Sequence, residues 1–275
     1  MFIDMSVMDR IHARQLEMWD VLSALLERLE IPCYFVHGSL LGAVTRGGFI
    51  DEDDDIDIAI FRKDYERLMS EGNDLLPQRY RLQCCLNDDF PLSFGKFRDS
   101  ESAFLQPVLS GYRCNKGLYI DIFPIDYLPP ENRRSTARLQ ESLLSSRLQS
   151  RMPPWGWKSR VMRLLSHLYA PTFASAARRL DRLFASLPES PSVRLTNGKA
   201  SEQCIPAEWF RERAEFEFCG RKVTGPACYG DYLAAIYGDA YLDYNPAESR
   251  IDTVGDVEIS ADVLDLERSY REYEK

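Results

Sequence analysis

Two aspartates stand two residues apart inside an apolar run, Asp55-Ile56-Asp57-Ile58-Ala59-Ile60. Successive side chains of a β-strand point to opposite faces, so Asp55 and Asp57 would share one face. Their α-carbons would lie roughly 6.5 to 7 Å apart, close enough for both carboxylates to bind one cation. Mg²⁺ is satisfied by one or two carboxylates together with substrate phosphates and water. The spacing therefore predicts a site for Mg²⁺ or Mn²⁺ that carries a phosphate.

The acids just before this strand, Asp51-Glu52-Asp53-Asp54-Asp55, admit other interpretations. A calcium loop is excluded, because its glycine and its terminal glutamate are missing at the required offsets. A solvated turn does not explain why Asp57 continues into an apolar strand. A metal site accounts for both features.

A third acid, Asp121, interrupts the apolar strand pattern Leu118-Tyr119-Ile120-Asp121-Ile122-Phe123. An ionised carboxylate buried there without a partner would cost several kcal/mol, roughly 3 to 5 for a broken pair. A metal, a cation or a substrate proton would remove that cost. A structural ion pair or an edge-strand position are the alternatives.

A glycine turn precedes the acids. Tyr34-Phe35-Val36 has the pattern of a short buried strand, and it leads through Gly38-Ser39 into the helix-compatible Leu40-Leu41-Gly42-Ala43-Val44. Backbone N–H groups at a helix start, together with the Ser39 hydroxyl, can hold phosphate oxygens. A simple helix cap is the other interpretation, and the downstream acids favour the phosphate cradle.

Four segments in this order, HGSLLGAV, GGFI, DDDIDIAI and YIDIFPID, resemble the LicD family of phosphotransferases, which includes fukutin-like proteins. Gly95-Lys96-Phe97-Arg98-Asp99 is similar to the lysine-containing strand of that family, and a further block spans Tyr232 to Asp239. The resemblance implies an α+β fold of the nucleotidyltransferase type, a mixed β-sheet flanked by helices. It also implies transfer of a phospho-alcohol or phosphonate from a CDP- or CMP-activated donor to a sugar hydroxyl. The acceptor would be a cell-surface glycan such as lipopolysaccharide or capsule, or a lipid-linked precursor.

The resemblance completes a predicted site around Mg²⁺. The metal ligands would be Asp55, Asp57 and Asp121, and the base for the acceptor hydroxyl would be Asp121 or Asp126. Phosphate oxygens would be held by Gly38, Ser39 and Lys96, with Arg46 and Arg98 as weaker candidates. A nucleotidyltransferase that attaches a nucleoside monophosphate to a small molecule would use the same acids and is the alternative function.

Some residues depart from the family pattern. Thr45 precedes Arg46 where the family usually has arginine directly after Gly-Ala-Val, so Arg46 is the candidate to replace it. Ile50 is followed by Asp51-Glu52 instead of Pro-Trp. His37 is also unusual, either as a residue that faces the donor or as a packed strand histidine. These changes leave the metal site intact and make the transferred group uncertain.

Composition predicts one catalytic domain over residues 1–275, because 275 residues with 45% hydrophobic content suffice for one large core. We expect a cytosolic protein, since no apolar run reaches a membrane span and Met1-Phe2-Ile3-Asp4-Met5 lacks a signal-peptide pattern. The net charge of −9 argues against nucleic-acid binding. Seven cysteines without a C-x-x-C pair favour reduced thiols over disulfides or a zinc site.

Charge is segregated along the chain. Between Arg133 and Arg182, eleven Lys or Arg residues stand against two acids, which leaves −18 for the remainder. The pattern over residues 131–190 predicts a basic amphipathic hairpin, a helical insertion broken by Pro153-Pro154 and Pro171. One interpretation is an insertion that covers the core and exposes a solvated basic face. The other is peripheral contact at the inner membrane face, with anionic lipid or with a lipid-linked acceptor.

Overall fold

The computed structural model describes residues 5–50, 53–154, 156–196, 204–243 and 262–274. Asp51 and Glu52 of the acidic run, and Trp155 of the predicted insertion, lie outside these ranges. The helices in the described ranges are α1 (Met5–Arg28), α2 (His37–Arg46), α3 (Arg62–Glu71), α4 (Glu131–Leu148), α5 (Trp157–Tyr169), α6 (Phe173–Ala185) and α7 (Tyr229–Tyr237). The strands are β1 (Tyr34–Phe35), β2 (Asp57–Phe61), β3 (Tyr80–Gln83), β4 (Gly95–Asp99), β5 (Ala103–Leu105), β6 (Tyr119–Tyr127), β7 (Ser192–Leu195), β8 (Ile205–Pro206), β9 (Arg213–Phe218), β10 (Arg221–Pro226) and β11 (Val263–Asp265).

A mixed sheet forms the centre of the molecule, which confirms the α+β prediction. Its order is β1-β2-β6-β4-β3, and β7 and β8 extend it from β6. Strands β2 and β6 are parallel, and the other neighbours are antiparallel. Parallel neighbours need a crossover connection, and here α3, β3 and β4 lie in the chain between them.

Strand β6 is the longest and is buried along nearly its whole length. Its proline, Pro124, lies between the residues that pair with β4 and those that pair with β7. Proline has no backbone N–H to donate to a neighbouring strand, so it costs least where β6 changes from one neighbouring strand to the next. The Pro124 carbonyl still accepts a hydrogen bond, from the backbone N–H of Thr196 at 3.0 Å.

Helix α1 packs its apolar face on the sheet. Its fully buried side chains recur at the helical spacing that places them on one stripe, namely Ile11, Gln15, Met18 and Leu22. Gln15 is the polar member of this stripe. Helix α3 ends at Glu71, and a 3₁₀ turn follows over Gly72–Leu75.

The basic insertion is three helices in the structure, so the prediction of a hairpin was wrong. Helices α4, α5 and α6 follow one another because Pro153-Pro154 and Pro171 each interrupt the helical hydrogen bonding. Helices α4 and α6 share a small apolar core of their own, formed by Leu144, Leu148, Ala176, Ala177, Leu180 and Phe184.

Helices of membrane-spanning length and apolarity are absent from the described ranges. All seven cysteines are free thiols, as expected. Strands β9 and β10 form an antiparallel hairpin, and α7 follows it in the chain.

Candidate functional site

Three carboxylates meet at the start of the parallel pair β2 and β6. Asp57 lies directly opposite Asp121 in the register, so the two side chains leave the same face of the sheet. Asp55 precedes β2 by two residues and joins them from the preceding bend. One oxygen of each of these three carboxylates lies within 4.8 Å of the others. The structure thus brings the three predicted metal ligands together.

Two further acids belong to the same cluster. Asp53 and Asp54 form a second group with Asp55 in which one oxygen from each residue lies within 4.8 Å of the others. The Oδ2 atoms of Asp53 and Asp54 are buried and have no hydrogen-bond partner. Buried polar atoms are normally paired, so these oxygens suit a cation or a substrate.

Helix α1 holds the acidic segment in place. His12 Nε2 lies 2.6 Å from the Asp53 carbonyl oxygen, and the His12 ring stacks on Phe49. The Gln15 amide donates to the Asp54 carbonyl at 2.7 Å and to the Tyr119 carbonyl at 3.2 Å. Sequence reasoning missed these two residues. The signal that could have found Gln15 is a polar residue on the apolar stripe of a helix.

The carboxylates repel one another in a poorly hydrated site. Burial, and then the charges of the neighbouring acids, raise the pKa of Asp55 and Asp57 well above the usual range. The same causes raise the pKa of Asp53 to about 7. For Asp54, burial raises the pKa to about 6, against the opposing charge of Lys96. A divalent cation would relieve this repulsion.

Lys96 faces the acids from β4, where it pairs in register with Asp121. Its Nζ donates to Asp121 Oδ1 at 2.5 Å and lies 3.3 Å from the centre of the Tyr119 ring. Burial lowers the pKa of Lys96, and the ion pair with Asp121 opposes that shift. The lysine predicted to hold phosphate is therefore in the site, bound to a metal-ligand candidate.

Helix α2 begins beside the acids. The Ser39 hydroxyl accepts a hydrogen bond from the Asp57 backbone N–H at 2.8 Å, which leaves its own proton free to be donated. A Cβ on Gly38 would lie 2.3 Å from Asp53 Oδ2, so only glycine lets the helix start approach this closely. Val36 at the N-cap has no side-chain acceptor for the first-turn N–H groups, and such groups bind anions.

Of the two weaker candidates for phosphate ligands, Arg98 lies close enough to Asp121 and Lys96 to lower their pKa values, and Arg46 lies away from the acids. Arg98 is fully buried, donating from Nε to Gln83 and from a terminal nitrogen to the Gly117 carbonyl. Arg46 is exposed in the last turn of α2, at the opposite end from Gly38. Periodicity in the sequence predicts the side of the strand or helix on which each arginine lies, but it does not predict which residues the arginine contacts there.

Asp126, predicted as an alternative base, is in an ion pair on the other side of the sheet. It lies five residues after Asp121 in the same strand, and an odd separation places the two side chains on opposite faces. Both its oxygens accept from Arg62, at 2.7 and 2.6 Å, and Thr196 donates to one of them. The structure therefore removes Asp126 from the acid cluster.

His37 is the first residue of α2 and not part of a strand. Its φ is +49°, and its ring packs edge-on against Phe123 with centroids 5.4 Å apart. Its backbone N–H faces the Tyr232 hydroxyl at 3.4 Å. Burial lowers the pKa of His37 from 6.5 to about 4.

This pKa shift gives a testable pH dependence. As the pH falls, His37 is protonated in the unfolded chain at a higher pH than in the folded chain, because burial lowers its pKa from 6.5 to about 4. The contribution of His37 to stability is therefore fully present above pH 6.5 and is lost as the pH falls toward 4. We expect the melting temperature of the protein, relative to that of His37→Asn, to be higher at neutral pH than below pH 5. Asparagine tolerates positive φ, so the backbone is preserved. Calorimetry of both proteins across this range checks it, and a difference independent of pH would contradict it.

Comparison with known proteins agrees with this geometry. Residues 30–153 match the family model described as LicD/FKTN/FKRP, nucleotidyltransferase domain, a range that contains the five acids, Lys96 and the start of α2. A relative from Haemophilus influenzae, lipopolysaccharide cholinephosphotransferase LicD, is 23% identical over 249 residues, covering 86% of this chain and 91% of that protein. The motif order, the site built from those motifs and the two matches together show that residues 30–153, which hold the candidate site, are similar to the LicD family.

Proposed function

We propose that this protein is a metal-dependent phosphotransferase with a nucleotidyltransferase-like catalytic fold. It moves a phospho-alcohol or phosphonate group from a cytidine-nucleotide donor to a sugar hydroxyl of a cell-surface glycan or its lipid-linked precursor. The observation that carries the proposal is the convergence of Asp55, Asp57 and Asp121 beside the start of α2. The relative named as a lipopolysaccharide cholinephosphotransferase supports the choice of reaction.

The residues at the site fit Mg²⁺ or Mn²⁺. The donor atoms are all carboxylate oxygens, the ligand type that these hard cations prefer. The unpartnered oxygens of Asp53 and Asp54 and the proximity of their carboxylates to Asp55 place an excess of negative charge at the site. We assign Asp55, Asp57 and Asp121 as ligands. A bound metal would supply positive charge to the donor phosphates and to the departing nucleotide.

The protein's own groups orient the donor. The first-turn N–H groups of α2 and the Ser39 hydroxyl face the acids and hold phosphate oxygens. The ion pair with Lys96 favours the ionised form of Asp121, against the burial that raises the Asp121 pKa, and the lysine adds positive charge next to the phosphate. Positioning of donor and acceptor then contributes most of the rate enhancement, as is general for phosphoryl transfer.

The acceptor hydroxyl must lose a proton when its oxygen attacks phosphorus. Asp126 is engaged by Arg62, and Asp121 by Lys96. Asp53 lies outside the three assigned metal ligands, has an unpartnered buried oxygen at the start of α2, and has a pKa that burial raises, which favours uptake of a proton. We therefore assign the proton to Asp53.

A donor panel tests the proposed function. In Mg²⁺, we expect a cytidine compound to raise the melting temperature more than uridine, guanosine or adenosine compounds, because unmatched hydrogen-bond partners of the base cost roughly 1 to 3 kcal/mol each. The panel contains CDP-choline, CDP-ethanolamine, CDP-glycerol, CDP-ribitol, CMP-aminoethylphosphonate, UDP-sugars and ATP. With acceptor present, free CMP should appear and the nucleotide should not remain on the product.

The control for this panel is Asp57→Asn, in which the donor-dependent shift should disappear. A shift with ATP or a UDP-sugar and none with any cytidine compound would contradict the donor assignment. Nucleotide retained on the product would identify a nucleotidyltransferase instead.

A further inference from the structure

We propose that α5 docks on an anionic membrane surface by inserting its exposed apolar face between the lipid headgroups. Among the described residues, nine large apolar side chains are exposed, and five of these lie on this one helix. They are Trp157, Val161, Leu164, Leu165 and Leu168, with Leu168 79% and Trp157 72% exposed. Isolated exposed apolar residues are normal, but a contiguous apolar patch marks an interaction surface.

The spacing of these residues places them on one face. Positions i, i+4, i+7, i+8 and i+11 fall within an arc of about 100° at 3.6 residues per turn. The opposite face carries the buried Ser166 and the partly buried Met162, and it packs toward α4. The most apolar side of α5 thus points away from the protein, the reverse of what a helix covering a core would show.

Basic side chains border the apolar face. Lys158 and Arg160 are exposed and lie on its two sides, and α5 contains no acidic residue. The surrounding segment from Arg133 to Arg182 has a net charge of +9, although the whole chain is at −9. An apolar face with Trp and Leu, bordered by Lys and Arg, is the pattern of a helix that lies in the plane of a membrane interface. Phospholipid headgroups with negative charge would attract this surface.

A second copy of the chain fits this surface less well. A two-fold contact of α5 with its own copy would bring together two segments, Arg133 to Arg182 of each chain, that each carry a net charge of +9. Like charges held this close at an interface oppose association. An anionic membrane satisfies the apolar and the basic residues at once.

This docking goes beyond the proposed function, because it requires neither metal nor donor. The test is flotation with vesicles of phosphatidylcholine alone and of phosphatidylcholine containing one third phosphatidylglycerol. The wild-type protein should float with the anionic vesicles and much less with the neutral ones. Leu164→Ser with Leu168→Ser should weaken binding by about tenfold or more, and Lys158→Gln with Arg160→Gln by about fivefold for each charge removed.

Matched controls are Leu139→Ser on α4 and Leu242→Ser, which remove leucines that are 56% and 64% exposed outside the α5 face. Both should bind anionic vesicles as the wild type does. Asp57→Asn should also bind normally, so that a failure of the transferase proposal is distinguishable from a failure of docking. The leucine, lysine and arginine variants should keep the wild-type melting temperature, because the side chains they replace are exposed.

Equal binding to neutral and anionic vesicles would overturn the proposal, as would unchanged binding of the Leu164 and Leu168 variant. Light scattering measures the oligomeric state and tests whether α5 instead binds a second copy of the chain. If the wild type is a dimer that this variant converts to a monomer, and neither floats, the face is a contact between copies of the chain and the membrane proposal is wrong. Quenching of fluorescence by brominated lipid, lost in Trp157→Phe, would support insertion of this face.

Discussion

Asp57→Asn is expected to lower transfer activity by more than about 100-fold, because changing a group that only orients a metal ligand already costs about 10- to 100-fold, and Asp57 is assigned as a direct ligand. The fold should survive the change. Burial, and then the charges of Asp121 and Asp53, raise the pKa of Asp57 well above its usual range, so the ionised side chain opposes folding at neutral pH. In the absence of metal, the variant should therefore melt at the same temperature as the wild type or higher.

Added Mg²⁺ should reverse this order. A ligand that binds only the folded state stabilises it, by about 2.7 kcal/mol at 100 times its dissociation constant. The wild type should gain this stabilisation, and Asp57→Asn should gain little of it. Melting curves in EDTA and in Mg²⁺, with turnover measured on the same samples, check both parts. Asp74→Asn, on an exposed turn, is the matched control and should behave as wild type. Full activity in EDTA or in Asp57→Asn would refute the metal site.

Asp126→Ala is expected to have the opposite effect, destabilising the fold by roughly 3 to 5 kcal/mol while sparing turnover of the folded molecules. The Asp126 side chain is fully buried and the Arg62 side chain is only 12% exposed. Removing the acid leaves the guanidinium buried between the Tyr65 and Phe184 rings without its counter-ion. Such an uncompensated charge is costly, whereas removing both partners is not.

Chemical denaturation of Asp126→Ala and of the double variant Arg62→Met with Asp126→Leu checks this expectation. The double variant should recover much of the lost free energy of unfolding, because apolar side chains of similar volume replace the pair. Activity should be normalised to the folded fraction. If Asp126→Ala instead folded stably and lost activity to the extent of Asp57→Asn, then Asp126 would take part in the chemistry as a base.

Local sequence pattern predicted much of the candidate site. The period of two in β6 and the apolar surroundings of Asp57 predicted that acids would project from strands beside a glycine turn. The parallel register that places Asp57 opposite Asp121 was not predictable from these segments. Register depends on which strands become neighbours, and the residues between β2 and β6 give no local signal of that.

The amino-acid sequence by itself determined the residue types of the site, the main helices and strands, and the concentration of positive charge in the segment from Arg133 to Arg182. Each of these follows from neighbours within a few residues, through strand alternation, helical spacing or composition. Only the tertiary structure decided which polar side chains are paired, such as Asp126 with Arg62 and Lys96 with Asp121, and which face of α5 points outward. Those outcomes depend on contacts between residues far apart in the chain, and a local pattern gives the direction of a side chain without giving its partner.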